Sequence, residues 1–236
     1  VKFNPEKCKF MIFSPDHDCT GSINFNDATI HSSKLEIHLG NHIGWTASKH
    51  NINRSIKEMY YHTNYLKAMF NSCSSDVVYK LFHTYCMPLY GLQLWDLTDK
   101  TIESFYICWR KCIRNLLNLP YCTHNDLLQV IVNDIPADCQ IHKRYLKFLH
   151  DLSHSDNEVM KMCFKLIKNG SNSPSANSFS LLCSIYDIDK DYFTHQRKNT
   201  LISKCRKNVN DHTVATGVFI RELLHIRDFK CERLDH

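Results

Sequence analysis

The stretch CMPLYGLQLW, residues 86–95, interrupts two segments that otherwise read as helices. It is apolar and aromatic, yet Pro88 removes a backbone donor and Gly91 frees the chain for a tight turn, so the spacing predicts a corner. Tyr90, Leu92, Leu94 and Trp95 are expected to anchor that corner in a core. The helix expected just beyond it has the cleanest pattern in the chain. Ile102, Phe105, Trp109, Cys112, Ile113 and Leu116 recur on one face at helical spacing, with Arg110, Lys111 and Arg114 on the other side. Pro120 lies past its end, and Trp95 and Trp109 are expected in one core.

Upstream of the corner, Ile52, Ile56, Met59, Thr63, Leu66 and Phe70 repeat at the same period, with Ser48 and Asn51 or Asn53 as candidate caps. A second helix is predicted from about Ser75 to Met87-Pro88. Residues 7–45 change character. KCKFMIF, SINF, ATIH and KLEIHLG are short apolar or alternating runs separated by Asp, Asn, Gly and Ser, the pattern of a small antiparallel meander. Downstream, a helix capped near Asp138 turns Ile141, Tyr145, Phe148, Leu149 and Leu152 inward and Lys143, Arg144 and Lys147 outward. The run NGSNSPSANS, 169–178, reads as a linker by composition, before a C-terminal piece containing HQRKNTLISKCRKN, 195–208. The expected fold class is therefore α+β, mainly α. A short antiparallel β meander spans 1–47, a helical bundle 48–168, a linker 169–178 and a further helical region 179–236.

Composition bounds the function. The 236 residues are 43% hydrophobic and 22% charged, enough to bury a core and too apolar for wholesale disorder. A formal charge of +5 is compatible with a nucleic-acid partner without demanding one. No apolar run approaches the roughly 20 residues of a membrane span, so no membrane partner is expected. The cysteines, twelve in all, fall singly inside apolar patterns, as at Cys86, Cys112, Cys163 and Cys183, where a thiol acts as a small hydrophobe. A reducing, intracellular compartment follows. The chain opens at Val1 as though inside a larger unit.

Motifs for chemistry are sparse. No Cys-x-x-Cys pair occurs; Cys108, Cys112, Cys122 and His124, or the pairs His38/His42 and His150/His154, offer weak metal spacing, and core thiols with scattered histidines are the better reading. Asp187, Asp189 and Asp191 resemble a calcium loop but lack its turn glycine, and Lys198 falls where a bidentate glutamate belongs, so capping accounts for them. No glycine-rich phosphate loop and no hydrolase or zinc-protease signature is present. What remains is two basic helix faces, Arg110/Arg114 and Lys143/Lys147, either solvated surface or a track for phosphates.

Four short pieces, in order, resemble one family. NPEKCKFMIFS (4–14) resembles the run that follows the catalytic strand pair in reverse transcriptases of non-LTR, LINE-like retrotransposons. KLEIHLGNHIGW (34–45) resembles their primer-grip hairpin, MPLYGLQLW (87–95) the turn between thumb helices, and WRKCIRNLLNLP (109–120) the helix after it. The resemblance covers about residues 1–150; residues 180–236 carry none, and Cys205 and Cys231 lack the partners of a C-terminal knuckle. It implies a polymerase fragment that grips an RNA template and DNA primer through Leu39, Gly40 and Arg114, with Lys111 beside it; Arg110, Lys143, Arg144 and Lys147 join them as candidates from the basic helix faces. Lys7 matches the family's lysine near the leaving pyrophosphate. The parent's Tyr-x-Asp-Asp carboxylates and their Mg²⁺ are expected upstream of Asn4, so this segment alone should bind no cofactor and no small-molecule ligand and should not polymerise. A nuclear or cytoplasmic ribonucleoprotein is the implied setting. The alternative is an inert nucleic-acid-binding or protein-interaction remnant of a decayed element.

Overall fold

The computed structural model describes residues 4, 7–13, 20–25, 28–87, 89–171 and 173–205. Two β-hairpins precede a helical body, so the α+β, mainly α class holds. Strand β1 (Ser22–Phe25) pairs antiparallel with β2 (Ala28–His31), and β3 (Leu35–His38) with β4 (Asn41–Gly44). These are separate two-stranded sheets, not the continuous meander expected. At the junction the backbone turns away: Ser32 N–H donates to Gly21 O at 2.8 Å and Ser33 N–H to Phe10 O at 2.8 Å. Residues 7–13, expected as a strand, contribute one bridge, Phe10 to Ser32.

The helices are α1 (Ala47–Met69), α2 (Ser75–Cys86), α3 (Thr101–Leu116), α4 (Asn125–Val132), α5 (Ala137–Ser153), α6 (Glu158–Lys168) and α7 (Pro174–Ile185). Residues 198–205 are also helical. The inward stripe of α3 is buried at every expected position, and that of α1 packs beside it. Trp95 meets Phe105 edge-on at 5.2 Å, and Trp109 lies in the same core. That core continues without a break to Phe164, Phe179 and Phe193, whose ring centroids lie 5.1–6.0 Å apart. Each such buried side chain contributes about 1.5–3 kcal/mol relative to exposure. Pro88, expected to end α2, lies outside the described residues, as do 206–208 and Cys231.

Tyr90 and Leu94, expected to anchor the corner in a core, are exposed while Leu92 and Trp95 are buried, and three other expectations need correction. The linker 169–178 is two helix ends back to back: Gly170, at φ +75°, follows α6, and Ser173 caps α7 by accepting the Ala176 N–H at 3.3 Å, with Pro174 in the first turn. Glycine after a helix, then serine and proline before the next, give the composition of a linker for a different reason. Ser178 within it is fully buried and accepts the Leu97 N–H at 3.0 Å. Second, α1 is capped at Thr46, so Ser48 and Asn51 lie inside the helix. Ser48 Oγ instead accepts the Asp96 N–H, at 2.7 Å. Third, α4 carries no strong pattern in the sequence and was not expected; its apolar content is short, and one residue, Leu128, is buried.

Asn51 explains how the β region is fixed to the helices. Its Oδ1 accepts the His42 N–H at 2.9 Å and its Nδ2 donates to His42 O at 3.0 Å. The side-chain amide thus acts as one residue of a partner strand against β4, while the residue itself is 1% exposed. Beside it, Arg54 donates through Nη2 to Asn41 Oδ1 at 3.0 Å. Asn41 in turn fills the space beside Gly91, where an added Cβ would sit 2.2 Å from its Oδ1. Gly91 adopts φ +78°, so glycine is required there by conformation and by space.

Asn51→Ala is expected to lower the unfolding free energy by about 2–3 kcal/mol, because two backbone groups of His42 lose their partners; Asn53→Ala, on the exposed side, stays within about 0.5 kcal/mol in the same urea titration. Gly91→Ala destabilises by more than the about 1–2 kcal/mol of its left-handed backbone alone. Placing it in an Asn41→Gly background recovers part of the loss, a non-additivity that identifies the clash.

His142 on α5 is buried with Nδ1 2.8 Å from the Tyr186 hydroxyl, and burial lowers its pKa. The fold therefore keeps the ring neutral while the unfolded chain takes up a proton at the ordinary histidine pKa. Stability present above that pKa falls as pH drops through it. His150, lowered by burial and by His154, adds to the same trend. His142→Gln flattens the decline of stability between about pH 7 and 5, measured by denaturant melts.

Candidate nucleic-acid interface

Leu39 and Gly40 form the two-residue turn between β3 and β4, at φ +47° and +77°. Positive φ at both positions matches the right-handed twist of a tight hairpin, and at Leu39 it is unusual for a non-glycine residue. Leu39 is 74% exposed. The turn therefore presents an apolar side chain and a glycine backbone at a tip that Asn51 and Arg54 hold against α1.

The basic residues of α3 do not share one open face. Arg114 is committed internally: Nε and Nη2 donate to Thr123 O at 3.1 and 2.7 Å, and Nη2 to Asn125 Oδ1 at 2.7 Å, tying the end of α3 to the start of α4. Arg110 is half-buried and lines a pocket whose walls also carry Glu103, Asp126 and Asp138. Lys111 is exposed on the outer side of α3. Helical periodicity gives the angle of a side chain about its own axis; it does not give the neighbour waiting there.

On α5, Lys147 is exposed and Lys143 half-buried. Arg144 is half-buried too, and desolvation pulls its guanidinium pKa down. Close by, Lys198 and Asp151 form an ion pair at 2.5 Å that ties helical residues 198–205 to α5 and holds the Asp151 carboxyl below its ordinary pKa. Lys7 is exposed, in a turn where its N–H donates to Asn4 O at 3.2 Å.

The sequence reading missed the outer side of α1. Lys57, Tyr61 and Tyr65 are exposed four residues apart. Toward α3, Lys67 Nζ donates to Asn115 O and Oδ1, both at 2.9 Å, and Asn115 Nδ2 to Asn64 Oδ1 at 3.3 Å. Tyr60 lies at the same junction, its pKa pushed up to about 12 by burial and by Cys108. The four-residue spacing of Lys57, Tyr61 and Tyr65 is the sequence signal that sets them on one exposed side of α1.

Cys108 and Cys112 are buried with sulfurs 3.9 Å apart, Cys122 and His124 are exposed, and the His150 and His154 rings stack at 4.1 Å. Among the described residues no three thiol, imidazole or carboxyl groups converge as a divalent cation requires. Asp187, at φ +48°, follows α7, whose end closes with Ile188 N–H on Cys183 O at 2.9 Å; Asp189 accepts the Asp191 N–H at 2.7 Å. Those aspartates terminate a helix and form a turn. No helix among the described residues is long and apolar enough to cross a membrane.

No protein-family model, curated protein or solved structure matches this chain.

Arg114→Ala is expected to cost about 1–3 kcal/mol of stability through the unpaired Thr123 carbonyl and Asn125, whereas Lys111→Ala leaves the urea midpoint nearly unchanged. Equal effects of the two substitutions would show that the Thr123 and Asn125 contacts carry no weight.

Proposed function

We propose that this chain grips a nucleic-acid duplex as the end-of-palm, primer-grip and thumb portion of a non-LTR retrotransposon reverse transcriptase. The observation that carries the reading is the exposed Leu39–Gly40 turn, held at a fixed position against a helical body by the Asn51 and Arg54 contacts. A glycine at such a tip lets backbone approach a sugar–phosphate chain closely, and a rigid mount keeps that approach reproducible. Lys111, Lys143 and Lys147 then supply cations for phosphates, while Arg110 and Arg114 act mainly by shaping α3 and α4. Polymerisation is the parent's, not this segment's.

One observation favours the alternative of a protein-interaction remnant. Helix α6 turns Val159, Met162, Cys163 and Leu166 to solvent, a helical apolar stripe with no partner among the described residues.

Fluorescence anisotropy with a labelled RNA/DNA hybrid separates the two. Each phosphate neutralised contributes about −0.9 to the slope of log affinity against log salt. The combined Lys111→Ala, Lys143→Ala and Lys147→Ala variant is expected to flatten that slope by about 2–3. Absence of hybrid binding, or binding indifferent to salt, overturns the duplex reading.

A further inference from the structure

The corner at 89–91 is built in an unfavourable conformation. Leu89 adopts φ +49° and Gly91 φ +78°, and the position beside Gly91 is blocked by Asn41. A leucine in the left-handed region is strained, and strain of this kind persists only where the surroundings enforce it. Its result is a division of labour between neighbours: Leu89 is 6% exposed and Tyr90 63% exposed. The backbone is held so that one side chain enters the core and the next, an aromatic ring, is displayed.

Tyr90 lines a groove. The other walls are Arg54, Glu58 and His62 of α1 and Tyr85 at the end of α2, itself exposed, over a floor that includes Cys86 and Leu89. Arg54 spans this groove and the hairpin: its Nη2 holds Asn41, at the foot of the Leu39–Gly40 turn. Its Nε, 3.5 Å from Glu58 Oε1, is buried and makes no hydrogen bond. The groove thus combines two exposed tyrosines, the paired Arg54 guanidinium and Glu58 carboxylate, and the His62 imidazole. Exposed tyrosines beside an arginine and an imidazole are side chains on which a nucleobase stacks, since every base has two π-faces. The net charge of +5 favours a polyanionic ligand over an acidic-poor peptide.

We propose that this groove is a stacking site for an unpaired nucleotide, receiving a single-stranded overhang next to the duplex that the hairpin tip grips. The inference rests on the duplex reading and names a second ligand class for the same region: unpaired bases recognised by Tyr85 and Tyr90. The backbone at Leu89 sets the position from which Tyr90 projects, so no backbone rearrangement is needed to present its ring.

The test compares a blunt RNA/DNA hybrid with the same hybrid carrying a five-nucleotide single-stranded DNA overhang, both labelled. The full chain is expected to bind the overhang form about tenfold tighter. Tyr85→Ala and Tyr90→Ala each erode that gain and together abolish it, while blunt affinity and the urea midpoint stay unchanged. Tyr85→Phe and Tyr90→Phe, which keep the rings, retain it. No gain from the overhang with blunt hybrid still bound, or a gain that survives the double alanine variant, overturns the stacking site alone. If no blunt hybrid binds but the free single strand binds in a tyrosine-dependent way, the duplex reading fails and the groove stands.

Discussion

A buried side-chain amide is central to the joint between the β3–β4 hairpin and the helical body. Asn51 gives His42 the pair of hydrogen bonds that another β-strand would give it, from inside a helix. A two-stranded hairpin is marginal by itself in water, so β3 and β4 gain their definition from this attachment. The burial of Asn51 makes the attachment all-or-none. An amide that loses one partner inside the protein costs more than the bond contributed, so partial detachment is disfavoured. The hairpin tip therefore inherits the rigidity of α1, and α1 inherits its own from α3, against which it packs along much of its length.

The corner at 86–95 extends that logic. It must cross from α2 to α3 while passing close to the hairpin, and Gly91 is the residue that tolerates both the left-handed turn and the approach of Asn41. Past it, the Asp96 N–H reaches Ser48 on α1 and the Leu97 N–H reaches Ser178 on α7. One loop thus has its backbone donors satisfied by side chains from two helices far apart in sequence. Such a loop cannot move without releasing both, which makes this apolar break a junction and not a hinge.

What the sequence made legible follows from what periodicity measures. The inner faces of α1, α3 and α5 were readable because burial selects apolar residues at a fixed angle, and Ile52, Phe105, Trp109, Ile141 and Tyr145 are where that angle put them. Asn51 was not readable. A polar residue in a core carries no signal until its partner is known, and the partner is a backbone on another element. The run 169–178 misled for a related reason, since the residues that cap helices are those that fill linkers. On the candidate interface, Leu39 and Gly40 were found as a pair, but nothing in the one-dimensional pattern separated Lys111 in solvent from Arg114 on Thr123.

That separation bears on how a helix such as α3 could serve a duplex. An arginine held by a carbonyl and an asparagine has already spent much of its donor capacity, and binding a phosphate would require it to release the start of α4. An arginine whose pocket also holds Glu103, Asp126 and Asp138 adds less outward potential than an arginine alone. On the proposed reading the long-range attraction comes from Lys111, Lys143 and Lys147, whose strongly hydrated ammonium groups act at a distance with little geometric demand. Specific contact must come instead from shape and from aromatic faces. Lysines for approach and tyrosines for contact form a division suited to a ligand recognised by its backbone and its exposed bases, whatever its sequence.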